Sequence, residues 1–168
     1  MSPILSPLQM KDHRFTNLRV KSIEFGSTAA KPSLRPTIWF EPVAETTNQW
    51  KLILTVVIAS ADATKPFAYE AEVQLQGLVE ALEALPEERR QQIALVNGFS
   101  ILYSAAREML LNITARSAHG PMALPTISFV EMVKQKTKPA EKSAEQPAKA
   151  EPTHVEPTAP ALNKGVSR

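Results

Sequence analysis

Between residues 66 and 78 the chain alternates Phe67, Tyr69, Ala71, Val73 and Leu75 with Ala68, Glu70, Glu72, Gln74 and Gln76. A period of two places these sets on opposite faces, which predicts a half-buried antiparallel strand with a solvated polar face. Arg14 to Phe25 has the apolar set Phe15, Leu18, Val20, Ile23 and Phe25, with a parity change between Val20 and Ile23 that predicts a bulge. Trp50 to Ala61 is β-branched and apolar on both faces, as in a strand covered on both sides. Lys31 to Pro42 is punctuated by Pro32, Pro36 and Pro42, and is predicted to be a crossing loop with one short extended piece, Thr37 to Phe40. Strands joined by short links, with no helix between them, imply an antiparallel sheet.

The period then changes. Pro86 suits a first helical turn, and Glu87 and Glu88 complement the positive end of the helix dipole. The pattern predicts a helix to about Arg116, with a stripe of Leu95, Phe99, Leu102, Ala106, Met109 and Ile113. Gly98 interrupts it, as for a kink or a close contact. A second apolar group, Ile93, Ile101, Tyr103, Ala105 and Leu110, lies off the stripe. One sheet face covers one stripe, so the surplus points to another copy of the chain. After a loop from Ser117 to Pro121 come Met122 to Phe129 and a short amphipathic piece, Val130 to Lys136.

Composition then divides the chain. Residues 135–168 contain five prolines and six alanines, no aromatic residue, and only Val155, Leu162 and Val166 as large apolar groups. Ordering such a segment costs about 1–2 kcal/mol per residue with little apolar area to offset it, so a disordered tail is expected. The organisation expected is a flexible segment 1–13, a body 14–134 and the tail 135–168.

The 13 basic and 13 acidic residues of positions 1–134 cancel, which leaves the net charge of +2 in the tail. A neutral body argues against nucleic-acid binding. Absence of cysteine excludes disulfides and thiolate chemistry and fits a reducing compartment. The N-terminal region, Met1 to Phe15, lacks a signal-peptide pattern, and the longest apolar run, Leu52 to Ala61, is about half a membrane span. A cytoplasmic protein without membrane insertion is expected.

Catalytic chemistry is not legible. Five dispersed glycines form no phosphate loop, and His13, His119 and His154 have no ligand-spaced partner, so each reads as a solvated histidine. Ser100 and Ser104 lack a nucleophile-elbow context. Glu70 and Glu72 share a strand face, and Arg89 and Arg90 read as surface charge. No enzyme, no cofactor and no metal site are expected.

Asn97-Gly98-Phe99-Ser100-Ile101-Leu102-Tyr103-Ser104-Ala105-Ala106-Arg107-Glu108 resembles the long-helix signature of the SecB export chaperones. There an asparagine-Ile-Leu stretch, an aromatic residue and Ala-Arg-Glu follow in that order. Thr114-Ala115-Arg116 is similar to the family's helix end, and Leu124-Pro125-Thr126-Ile127-Ser128-Phe129 to its L-P-x-(I/V)-x-F segment. Tyr69-Glu70-Ala71-Glu72-Val73-Gln74 is similar to its C-E-V-Q-type strand. The matches keep order and spacing over roughly residues 14–134.

The resemblance implies an α+β fold: a four-stranded antiparallel Greek-key sheet, one long helix packed on it and a short C-terminal helix. It implies a homotetramer, a dimer of dimers, that binds unfolded or nascent polypeptides without ATP and hands them to the SecA motor. Carried over residue by residue, client contact falls on Leu34, Ile38, Trp39, Phe40, Leu124, Val130 and Val133. The oligomer interface falls on Ile101, Tyr103, Ala105 and Leu110. SecA docking falls on Glu72, with Glu24 as the nearest acid where Ser22 and Gly26 occupy the family's other acidic positions. That departure raises a second expectation, a chaperone dedicated to one client such as an antitoxin of a toxin–antitoxin system. The rival of another class is an α+β protein that holds a small ligand between sheet and helix.

Overall fold

Four strands and two helices make up the described part of the chain, residues 6–82 and 85–137 of the computed structural model. They are β1 (Leu8–Ser22), β2 (Pro32–Pro42), β3 (Gln49–Ser60), β4 (Tyr69–Ala81), α1 (Glu87–Thr114) and α2 (Val130–Thr137). The sheet order is β1-β4-β3-β2 with every neighbouring pair antiparallel. Two successive hairpins give β2, β3 and β4, and the connection 23–31 carries the chain from β1 across to the far edge. This is the expected Greek key.

Period two sorts the sheet. Leu52, Leu54, Val56 and Ile58 of β3 and Val73, Leu75 and Val79 of β4 are buried on the face that α1 covers. Each such side chain contributes roughly 1.5–3 kcal/mol of transfer free energy. Ile53, Val57, Glu72 and Gln74 line the opposite face and stay half-buried, with no layer of the described residues above them. Among the described residues β3 is thus covered on one side, where cover on both was expected. Neighbouring strands shade that face, as where Gln74 donates to Thr55 Oγ1 at 3.2 Å.

β2 corrects the crossing-loop reading. All eleven residues pair with β3 without a register shift. Pro32, Pro36 and Pro42 have the same parity, so their missing N–H groups all point away from β3, to the open edge where no ladder bond is lost. β1 also differs from expectation. It starts at Leu8, so residues 8–13, assigned to a flexible segment, belong to the sheet. Its irregularities fall between Met10 and Asp12 and between Phe15 and Asn17 rather than after Val20. Extra residues there bring Met10, Phe15, Leu18 and Val20 onto the helix-facing side together. His13 lies within the strand, opposite Gly77.

In α1 the residues Leu95, Phe99, Leu102 and Ala106 are fully buried, as the stripe predicts. Beyond them the buried face rotates. Ile113, about five turns beyond Leu95 at 3.6 residues per turn, is 38% exposed, while Leu110 and Thr114 are fully buried. The cause is the segment 122–129, which packs along the side of the last turns. Phe129 lies 5.8 Å from the rings of both Phe99 and Tyr103. Tyr103 donates to Pro125 O at 2.8 Å and Arg107 Nε to Leu124 O at 3.0 Å. Thr114 closes the helix: its hydroxyl donates to Leu110 O at 2.6 Å and accepts from Met122 N at 2.7 Å.

Gly98 marks a close contact. A Cβ there would lie 2.5 Å from Leu52 Cδ1, so its absence lets α1 settle onto β3. The tail expectation concerns residues 138–168, which lie outside the described part; residues 135–137 are the end of α2.

Candidate functional site

Three surfaces collect the side chains singled out in the sequence. The first is a groove between β2 and α2. Pro36, Thr37 and Ile38 form one wall and Met132, Gln135 and Lys136 the other, around a cavity of about 340 Å³. β2 presents its even-numbered side chains to the helix side, so Leu34, Ile38 and Phe40 share that face. Trp39 does not: it points to the outer face, 46% exposed, opposite Ile53. Leu124 and Val133 are buried, whereas Val130 is half-buried. Reading Val130 and Val133 as the binding row selects the face of α2 turned toward the core. The groove row is Met132, Gln135 and Lys136, three and four residues apart on one helix side. That spacing was available in the sequence as the other half of the same amphipathic pattern.

The second surface runs along α1 beside the start of β1. Ser6, Pro7 and Leu8 face Ile93, Asn97, Ser100, Ile101 and Ser104 across a cleft of about 520 Å³. Ile101 is 41% exposed here, Ala105 is half-buried, and Leu111 and Ile113 stay exposed further along the helix. Tyr103 and Leu110 are buried within the subunit, against Phe129 and the sheet, and are not available to a second copy. Ser100 and Ser104 bond back to the carbonyls of Val96 and Ser100 at 2.7 and 2.9 Å, which ties both hydroxyls to the helix backbone.

The third surface is the outer face of the sheet. Across β1 and β4, Arg19 lies opposite Glu72 and Lys21 opposite Glu70. Glu72 accepts from Asn17 Nδ2 at 3.0 Å, and Lys21 Nζ lies 3.9 Å from Glu70. Lys11 approaches Glu80 to 2.6 Å; that hydrogen bond, with a second from Gln49, holds the Glu80 carboxyl below the usual range. These carboxylates are thus matched by cations or donors. Glu24 lies beyond the end of β1 and is not in the row of Glu72. Gly26 cannot carry an acid: a Cβ there would meet Phe67 O at 2.6 Å.

Two side chains were misread as solvated. His119 Nε2 lies 2.7 Å from Ile23 O and its ring stacks edge-on against Tyr69 at 5.6 Å, clamping the loop after α1 to the end of β1. Arg90 is half-buried and donates to Leu85 O at 3.1 Å, closing the turn that leads into α1. Among the described residues no group of His, Asp or Glu is clustered to hold a metal ion, and no helix is long and apolar enough to cross a membrane.

Comparison with known proteins matches this arrangement. The chain superposes on the Mycobacterium tuberculosis Rv1957 SecB-like chaperone, in complex with a ChAD peptide from the Rv1956 HigA1 antitoxin, with a TM-score of 0.56. Identity is 18%, over 72% of this chain and 91% of that one, which establishes a shared fold. A Streptococcus agalactiae protein of unknown function aligns at a TM-score of 0.46 and 9% identity, over 71% of this chain and 97% of that one. A search of curated protein sequences returns no match. The sequence profile of the preprotein translocase subunit SecB matches residues 6–140. With that match over most of its length and the Greek-key sheet beneath a long helix, the chain belongs to the SecB family.

Proposed function

We propose that this protein is an ATP-independent chaperone that binds unfolded or nascent polypeptides and keeps them competent for delivery to a partner. The observation that carries the reading is the groove between β2 and α2, an apolar wall of Pro36, Ile38 and Met132 open to solvent at its rim. An extended client offers apolar side chains, and such a groove binds each of them weakly. Repetition around an oligomer turns weak contacts into retention through effective concentration. Leu34 and Phe40, of the same parity as Ile38, extend the wall along β2. Assembly as a homotetramer is supported by the exposed apolar side chains Ile101, Leu111 and Ile113 of α1 and by the cleft beside Leu8, apolar surface that a lone subunit leaves in water.

Delivery to a dedicated partner is favoured over general export. SecA docking as the resemblance implies it needs an acidic sheet face. Here Glu70 and Glu72 face Lys21, Asn17 and Arg19, and Gly26 has no room for a carboxylate. The M. tuberculosis relative of similar fold holds an antitoxin peptide, and we infer a comparable single-client role, with an antitoxin as one such client.

The test is a native mass measurement with and without a chemically denatured model protein, paired with light scattering during its dilution from denaturant. The expected result is a tetramer mass, a complex with the denatured chain, and suppressed scattering in the absence of nucleotide. A monomer without suppression would overturn the reading, and a monomer that instead binds a small molecule between sheet and helix would establish the ligand-binding alternative.

A further inference from the structure

We propose that the groove between β2 and α2 prefers apolar client segments that carry a carboxylate next to their apolar side chains; this deepens the client-binding reading and rests on it. The charged groups on α2 are Glu131, Lys134 and Lys136, while Arg35 and Glu41 of β2 share the odd parity of Trp39 and stand on the outer face of the sheet. Glu131 is already engaged, with Lys134 at 2.9 Å. Lys136 is exposed, and among the described residues no carboxylate pairs with it. Lys136 lines the cavity itself, beside Met132 and across from Pro36 and Ile38. The rim is therefore cationic above an apolar floor.

Backbone recognition does not compete with this preference. A client strand added to the open edge of β2 would meet N–H donors only at Leu34, Ile38 and Phe40, because the other outward positions are Pro32, Pro36 and Pro42. The ladder fails at Pro36, in the middle of the groove. Selection is left to side chains. The aliphatic stem of Lys136 lies along an apolar client residue while its ammonium meets a neighbouring carboxylate. A client lysine at the same place is repelled.

The experiment uses the full chain and three labelled peptides with one apolar centre of Leu, Phe and Ile, flanked by two Glu, two Gln or two Lys. Affinity is read by fluorescence anisotropy at low salt. The expected order is Glu above Gln above Lys, with a ratio on the order of fivefold between the extremes, as one or two exposed charge contacts give. The ratio closes in ~0.5 M salt, where screening acts within a few ångströms. Lys136→Glu, a surface change, should reverse the order, while the uncharged Met132→Ser should weaken all three peptides alike. Equal affinities, or an order unchanged in Lys136→Glu, would overturn the charge preference and leave the groove standing. Failure of all three peptides to bind would overturn the groove and the preference with it.

Discussion

The contact at Gly98 sets two effects against each other in Gly98→Ala. In an exposed helix interior this change stabilises by about 1 kcal/mol, because glycine gives up more backbone freedom than alanine. Here the new methyl would sit 2.5 Å from Leu52 Cδ1 and 3.6 Å from Val79 Cγ1, both on side chains with no solvent exposure. Carbon atoms prefer about 3.5–4.0 Å, so something must retreat by roughly 1 Å. Leu52 is hemmed in by the sheet beneath it, and overpacking of this kind costs about 1–3 kcal/mol. The upper part of that range applies to a fully buried neighbour, so the net outcome is a loss of about 1 kcal/mol. That lowers Tm by about 3 °C for a domain of this size. Thermal unfolding by circular dichroism at one fixed protomer concentration reads it, since assembly would make Tm concentration-dependent. Leu52→Val alone should cost about 1 kcal/mol through the space it opens. In the double variant the two changes should compensate, with a coupling of about 1 kcal/mol. A higher Tm for Gly98→Ala, or strict additivity with Leu52→Val, would refute the close-contact argument.

Burial raises the Tyr103 phenol above its ordinary pKa of 10.0, so its stabilising contribution is complete below about pH 10 and declines as pH rises toward the folded-state value. Tm should therefore fall between pH 9 and pH 11, and fall less in Tyr103→Phe, which at neutral pH costs about 1 kcal/mol for the bond to Pro125. Ile101→Glu should shift the native mass toward smaller species while leaving the circular dichroism spectrum intact, because the side chain is already 41% exposed within the subunit; an unchanged mass removes α1 from the proposed interface. Of the two tryptophans, Trp50 is 5% and Trp39 46% exposed, so Trp39→Phe should leave a blue-shifted emission that acrylamide quenches poorly. Peptide bound in the groove should leave Trp39 emission unchanged, since that ring is on the other face of the sheet.

The parts of the fold that the sequence made legible are those where one periodicity acts alone. In β4 every second residue is buried and the predicted faces are the observed ones. The stripe positions Leu95, Phe99, Leu102 and Ala106, all fully buried, follow the helical period for the same reason. Legibility fails where a second constraint overrides the period. Lys11, Asp12, His13 and Arg14 hide the start of β1, because an edge strand with bulges tolerates polar residues on both sides. The prolines of β2 read as loop residues until their common parity is noticed. Thr114 looks like an unremarkable polar residue, yet it is the only polar side chain fully buried among those described, satisfied by Leu110 and Met122. Of the groove, Leu34, Ile38 and Phe40 were found through resemblance. Trp39 has the opposite parity to Ile38 and so faces away from the groove, which only a strand, and not a loop, dictates.

The proline-lined border of β2 limits how sheets of this kind can join. Growth by strand addition is open only at β1, whose fifteen residues contain no proline. When two copies meet there about a two-fold axis, both receptive borders are consumed in one step, and each end of the joined sheet is a row of prolines. Head-to-tail stacking would need β2 as an acceptor and has nowhere to continue. The arrangement of prolines is thus a stop, built into the architecture of the sheet, against becoming a fibre.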